Sequence, residues 1–553
     1  MSGIAAGVWE GLNGPSSDLC YIHILYSSML QYLYLWRPEI PWYGTLFIIH
    51  IAVSLLVINY SVLRLQRDTG LSFLVFIASL GTVVPALWHL QHTIIAGLSS
   101  MGGGLLLISF YVRTPRSNLG YVTGVAVVLF LLLMGAMIRF SSFLMIATLF
   151  TPFGLILALK TIFSATVDNL AWKNLYRSFL TLCLSGLFVL GLQYWNTKVQ
   201  EERPDWSYWH DLEEAKAEFI DFNHIEYSQE TEDMFASVGW DSIDYYMIKT
   251  WQYVDRERYS LKNFNDLIDS VSYQPLFGKP ARIDSNYLRH RIEHLIRSNL
   301  YVAFAASLIP VTILWTFLIW RWTSSQLIYL GGTLIAIISI MLYLFFGLNR
   351  APFRVLVLIW VGFLWLMILL ATNFDQQSIW LSSIIYRNWI ASIILICIVI
   401  GTTLNDLQGA KSIAERGRLA QEELKSTVLQ WQKNLPVNSV IYNIGSSLPL
   451  EHHLPFSSFQ YLQQLRGIIS TGWINQSPIQ GRILNAYGLA SGDFFLSLTQ
   501  KEDLFIVNRE KSSRSNFEQE ILRQFYMEKY CLGLSFIEQP SLPYLSRMVF
   551  HEQ

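Results

Sequence analysis

The residues best placed to do chemistry are few, and they stand at the ends of apolar runs. Asp18 lies in GPSSDLCYIHILY, just ahead of an apolar and aromatic stretch with near-helical spacing. Its carboxylate reads two ways: as the N-cap of that helix, accepting the first backbone amides, or as a general base held at a membrane surface. Arg350 and Arg354, in LNRAPFRVLVL, sit between two apolar runs. Guanidinium forks suit phosphate; the plainer alternative is snorkelling to ordinary lipid headgroups. His89 and His92, in ALWHLQHTIIAG, are three apart and share a helical face that could suit a metal, though no carboxylate nearby in sequence completes such a set. A core or interfacial role is the commoner one for such histidines. His452 and His453 in PLEHHLPF give a similar, weaker signal.

The elements that must position these groups follow from composition. Of 553 residues, 52% are hydrophobic and only 14% charged, with a mean hydropathy of +0.35; soluble chains carry about 25% charged residues. Thirty-nine basic residues against 40 acidic leave a net charge of -1, without the basic excess by which nucleic-acid binders neutralise phosphate. The four cysteines (Cys20, Cys183, Cys397, Cys531) are scattered singly, which excludes a disulfide scaffold and a zinc ribbon. The chain reads as an α-helical, polytopic membrane protein.

Apolar runs long enough to cross a bilayer predict about ten spans, near 44–62, 70–87, 93–112, 120–138, 143–160, 176–194, 299–319, 326–347, 353–372 and 386–404. With residues 1–43 outside, the inner turns hold Arg64, Arg67, Arg113, Arg116, Lys160, Lys173, Arg177, Arg321 and Arg387, and the short outer turns hold only Arg37, Arg139, Arg350 and Arg354. That bias fixes the orientation. Five segments result: an outer loop and membrane-surface helix (1–43), a first half-bundle (44–194), an extracytoplasmic helical insert (195–298), a second half-bundle (299–404) and a small extracytoplasmic α/β domain (405–553).

The surface helix carries Tyr and Trp suited to headgroup depth and ends at Pro38 and Pro41. The insert is dense in acids and aromatics, as in PDWSYWHDLEEAKAEFIDF, and reads as a folded helical cap whose aromatic faces suit either a core or sugar rings. In the tail, a charged amphipathic helix precedes NSVIYNIG and EDLFIVN, which read as buried strands, and SNFEQEILRQFYMEKY, which reads as a helix. No GxGxxG or P-loop occurs. Gly102–Gly104 predicts close helix packing.

Taken together, several motifs resemble the GT-C superfamily of integral-membrane glycosyltransferases, in particular bacterial members that build surface polysaccharides. They are GPSSD with PWY in the first outer segment, LQHTIIAG, VGWDSIDYYMIKTWQYVDRERYS, NRAPFR, and NSVIYNIGSSLPLEHHLPF with GWINQSP. The resemblance implies transfer of a sugar from a polyprenyl-phosphate carrier to a glycan, lipid or protein acceptor outside the cytoplasm of a bacterial plasma membrane. It implies Asp18 as catalytic base for an inverting displacement, Arg350 and Arg354 as donor-phosphate ligands, and His92, Gln91 and Asp221 on the acceptor side. A divalent metal is possible as cofactor. Such proteins also carry a first span, often followed by an acidic pair, upstream of the glycine–proline motif; the expectation is that this helix is missing here, and with it a competing base. The alternatives are a lipid-linked oligosaccharide polymerase or ligase, which shares the carrier, and a transporter or scaffold of the cell envelope. Transporters more often carry inverted repeats and ionisable groups within spans.

Overall fold

The computed structural model describes, apart from isolated gaps, residues 2–65, 90–113, 117–163, 169–222, 225–270, 324–344, 352–371, 411–444, 467–507 and 513–552, with scattered positions between 75 and 87. The expected spans near 299–319 and 386–404, most of 70–87, and the pair His452–His453 lie outside them.

The chain is a multi-pass membrane protein. After a short turn of helix (α1, Ser2–Ala5) come α2 (Ile24–Trp36) and α3 (Trp42–Leu65), then α4 (His92–Val112), α5 (Asn118–Ile138), α6 (Phe140–Phe163) and α7 (Asn169–Glu201). Five of the described helices are long and apolar enough to cross a membrane, and two shorter apolar ones follow, α12 (Ser324–Leu342) and α13 (Phe353–Ala371). α4 is the axis of the bundle: 89% of its apolar window is buried, against 17% for α7, which faces outward.

Small residues let α4 and its neighbours approach closely, as lipid-embedded helices require. A Cβ on Gly135 of α5 would stand 2.2 Å from Ser100 Oγ and 2.8 Å from the Ala96 carbonyl, and one on Gly103 would meet Leu132 at 2.8 Å. The end of α5 is thereby held beside the start of α4. At the opposite end, Arg113 Nη1 donates to the Arg64 carbonyl (3.0 Å).

α2 begins at Ile24. Its N-cap is His23, whose Nδ1 accepts the Leu25 amide (3.1 Å) and whose Nε2 pairs with the Leu192 carbonyl (2.9 Å). Asp18, five residues earlier, does not cap this helix. The sequence signal failed because a histidine nitrogen fills the capping role that usually falls to Asp, Asn, Ser or Thr. The exposed face of α2 carries Leu25, Met29, Tyr32, Leu35 and Trp36.

The insert opens with α8 (Pro204–Lys216), where Pro204 takes the first-turn place that proline tolerates. A π-turn (Ala217–Phe222) follows, then α9 (Glu232–Ser237), α10 (Ser242–Lys249) and α11 (Leu261–Ser270). In the tail, five strands form one sheet in the order β2-β1-β3-β5-β4: β1 (Val440–Asn443), β2 (Ile468–Ser470), β3 (Leu504–Val507), β4 (Leu532–Glu538) and β5 (Leu545–Glu552). β1 pairs in parallel with β2 and β3; β5 runs antiparallel to β3 and β4. β1 and β3 are buried throughout, as central strands covered on both faces must be. Three helices accompany the sheet: α14 (Pro478–Ala486), α15 (Phe494–Thr499) and α16 (Ser513–Tyr530).

Insert and tail share one hydrophobic core, in which Phe219, Phe235 and Phe264 pack with Tyr442, Phe494, Phe525 and Tyr526. Polar contacts lock the seam. Asp244, fully buried, takes Arg258 at 2.5 and 2.7 Å and Lys529 of α16 at 3.3 Å. Gln476 donates to the Tyr253 and Tyr259 carbonyls (3.1 and 2.9 Å).

Candidate active site

One end of the bundle collects charge. This is the end that the positive-inside rule assigns to the outside. Arg139, at the C-cap of α5, extends Nη1 to within 2.8 Å of His92 Nε2 at the start of α4. The close α4–α5 packing at Gly135 sets this contact. Arg354, in the first turn of α13, lies near enough for its charge to act on His92 as well. The guanidinium of Arg139 also stands 5.8 Å from the Tyr21 ring centre.

Tyr21 is the hinge of the site. Its φ of 63° puts a non-glycine residue in the left-handed region, at a cost of ~1 kcal/mol or more. That backbone sets the ring 5.5 Å from Trp209 of α8 and lets the hydroxyl donate to Glu213. Glu213 is buried and paired through its other oxygen with Lys216, whose ammonium lies 4.9 Å from the Trp251 ring centre and 5.7 Å from that of Tyr253. Burial, reinforced by the Glu213 carboxylate, pushes the Tyr21 phenol well above its ordinary range. Burial draws the Lys216 ammonium below its own, against the pull of Glu213. The phenol therefore stays protonated at any physiological pH and serves as a donor.

Asp18 is buried with both carboxylate oxygens engaged. Arg203, at the N-cap of α8, reaches Oδ1 at 2.8 Å, and Arg482 of α14 reaches Oδ2 at 2.6 Å. One carboxylate so joins the first outer segment, the insert and the tail. Cys20, between Asp18 and Tyr21, is fully buried and feels the charges of both Asp18 and Glu213.

Among the residues expected from sequence, Asp18, His92 and Arg354 gather on this face. Gln91 is the half-buried N-cap of α4 and makes no side-chain capping bond. Asp221 is half-buried in the π-turn, where its charge acts on Lys216 and Tyr253. Arg350 and His89 lie outside the described residues. Among those described, no group of three or more His, Cys, Asp or Glu side chains is arranged to hold a metal ion. His92 turns its Nε2 to a guanidinium, whose charge opposes a cation there. Tyr21, Glu213, Lys216, Arg203 and Arg482 carry no signal as separate residues; Arg139, like Arg354, is an arginine in a turn that the charge bias of the sequence expects to lie outside.

A second polar cleft lies on the seam between insert and tail, about 370 Å³ in volume and bordered by Asp255, Glu257, Arg258, Asp493 and Tyr530. Burial, with Asp493 nearby, raises the Asp255 carboxyl to about 6, while the amides of Arg258 and Glu257 pull the other way. Because this value exceeds the unfolded one, the folded state holds the extra proton between about pH 4 and 6. Asp255 therefore adds stability below the unfolded value and loses it as pH rises through about 6. Thermal unfolding followed from pH 4 to 7 should show this fall, and Asp255→Asn should flatten it; an unchanged slope in the variant contradicts the assignment.

No family model and no curated protein matches the chain. Among solved structures it is similar to ArnT from Cupriavidus metallidurans in the apo state, with 11% identity over 99% of this chain and 90% of that one, at a TM-score of 0.33. Neither fold nor activity is inferred from a likeness at that level.

Proposed function

We propose that the chain is a membrane glycosyltransferase that moves a sugar from a polyprenyl-phosphate donor to an acceptor outside the cytoplasm of a bacterial plasma membrane. The observation that carries this reading is the juxtaposition, at one end of an apolar bundle, of two guanidinium groups (Arg139, Arg354) around His92 with a tyrosine and buried carboxylates. An anionic headgroup fits the arginines, and a hydrocarbon chain fits the bundle below them. The sequence resemblance to the GT-C superfamily points the same way.

In this reading Arg139 and Arg354, with Arg350 four positions before Arg354 in the sequence, hold the donor phosphate and stabilise the charge it gains as the anomeric bond breaks. Asp18 takes the proton of the acceptor hydroxyl. It does so once Arg482 withdraws from Oδ2, so that movement of the tail opens the base to the acceptor. Gln91, His92 and Asp221 border the acceptor's path. The test is the surface-glycan composition of a deletion strain. Loss of one sugar or linkage, restored by the wild-type gene, supports the reading. An unchanged glycan rejects it in favour of a transporter or scaffold.

A further inference from the structure

The polar cleft between insert and tail holds more acceptors than its own donors serve. Its border joins Asp255 and Glu257 of the insert with Asp493 and Tyr530 of the tail. Beside it the Arg256 amide donates to the Ser491 carbonyl (3.0 Å). The donors on this border are already engaged. Arg258 gives Nε and Nη2 to Asp244 (2.5 and 2.7 Å), and Tyr530 gives its hydroxyl to Asp493 Oδ1 (3.3 Å). Asn263 gives Nδ2 to the Arg258 carbonyl (2.9 Å). What remains is acceptor: the carboxylates of Asp255, Glu257 and Asp493, and the Asn263 amide oxygen. Asp255 is the sharpest case. It is 3% exposed, and its Oδ1 accepts the Glu257 and Arg258 amides (both 3.1 Å). Among the described residues its Oδ2 has no partner, and a buried carboxylate with an open oxygen is costly.

We propose that this cleft binds a free aliphatic polyamine, which bridges the insert and the tail. Three observations select that chemistry. The unengaged groups are acceptors and three of them are acidic, so the ligand must bring N–H donors and positive charge. The space, about 370 Å³, exceeds what one ion fills and falls within the ~300–1,000 Å³ of small-molecule sites. Among the described residues no group of His, Cys, Asp or Glu is arranged to hold a metal there. Trp240 and Tyr530 line the same space, and aromatic faces attract organic cations. A neutral saccharide would fill the volume and leave the three carboxylates without counter-charge. An extended amine sets separate ammonium groups against carboxylates on both sides of the seam. The cleft shares no residue with the Asp18 cluster, so this assignment does not depend on the proposed function.

Binding is coupled to the proton on Asp255. That carboxyl faces Glu257 and Arg258 of its own loop and Asp493 and Tyr530 of the tail, while Arg258 is tied to Asp244 and through it to Lys529. Without ligand the carboxyl holds its proton up to about pH 6; an ammonium favours the ionised form instead.

The purified, detergent-solubilised full chain is titrated calorimetrically with spermidine, with maltose, trilysine and calcium chloride as comparisons. Unfolding temperature is followed in parallel. Wild type is expected to bind spermidine at pH 7 and to unfold at a higher temperature with it. At pH 5, below the Asp255 value of about 6, affinity falls about tenfold because only about one-tenth of the carboxyl is ionised. Asp255→Asn keeps an oxygen for the two amides, weakens binding about tenfold at pH 7 and flattens the pH dependence. Glu257→Gln, on the exposed rim, weakens binding about tenfold and leaves the unfolding temperature of the ligand-free protein unchanged. Should Asp255→Asn fold poorly, Glu257→Gln and the pH dependence of wild type carry the test. Failure of the folded wild type to bind spermidine overturns the proposal. Undiminished binding by the variants does so too, since it marks attraction to general surface charge. Tighter binding of maltose, trilysine or calcium than of spermidine overturns it in favour of a sugar, a basic peptide or a metal ion.

Discussion

Arg139→Ala is expected to lower sugar transfer by about 10²–10³-fold, the range for removing one preorganised group that meets charge developing in a transition state. The geometry behind this is specific. Arg139 is the C-cap of α5, is placed by the Gly135–Ser100 contact, and approaches both His92 Nε2 and the Tyr21 ring. Arg139→Lys keeps the charge and loses the planar fork, so it should recover part of the rate and leave a raised KM. The assay is release of polyprenyl phosphate from the lipid-linked sugar, with unfolding temperature as control. A fully active Arg139→Ala enzyme would remove the phosphate from this cluster and shift the search to the turn holding Arg350.

Asp18→Asn is expected to cost about 10²–10⁴-fold in transfer rate, as loss of a general base does. The informative partner is Arg482→Gln. If Asp18 is the base, removing Arg482 frees Oδ2, so transfer persists while the tail becomes more susceptible to protease. If Asp18 is instead a pure clamp, Asp18→Asn, which breaks both pairs, should destabilise more than Arg482→Gln, which breaks one. Each broken pair then costs about 2 kcal/mol, less than the 3–5 of a fully buried pair, because both arginines are 40% exposed. Transfer would fall only as far as folding falls. Rates compared at temperatures where both variants remain folded decide between these outcomes.

The two variants also mark how far the sequence could be read. Hydropathy is a property of single residues summed over twenty positions, so α3 to α6 were legible to within a few residues, while α7 runs seven residues further at each end than the expected 176–194. The strands Val440–Asn443 and Leu504–Val507 were legible from short apolar runs between breakers. Asp18 was visible as a candidate, yet its partners were not: Arg203 is 185 residues away and Arg482 is 464 away. Pairing across such separations leaves no periodic trace. The Tyr21–Glu213–Lys216 chain was hidden for the same reason, and because Glu213 and Lys216, three apart on α8, look like an ordinary solvated helix pair. Arg139 was the missed opportunity. Its place in a turn that the charge rule expects to be neutral is the signal that singled out Arg354.

The common core of insert and tail bears on how the protein is made. Phe219 and Phe264 must pack with Phe494 and Phe525, which leave the ribosome more than two hundred residues later. Until then the insert presents an unfinished aromatic face while the rest of the bundle is still being synthesised. Such contacts are slow to form and leave apolar surface open to aggregation. Protein quality control would therefore meet this protein as a half-built insert awaiting its last strands. A chain stopped before β3 should be cleared rather than accumulate, however well its apolar helices enter the bilayer.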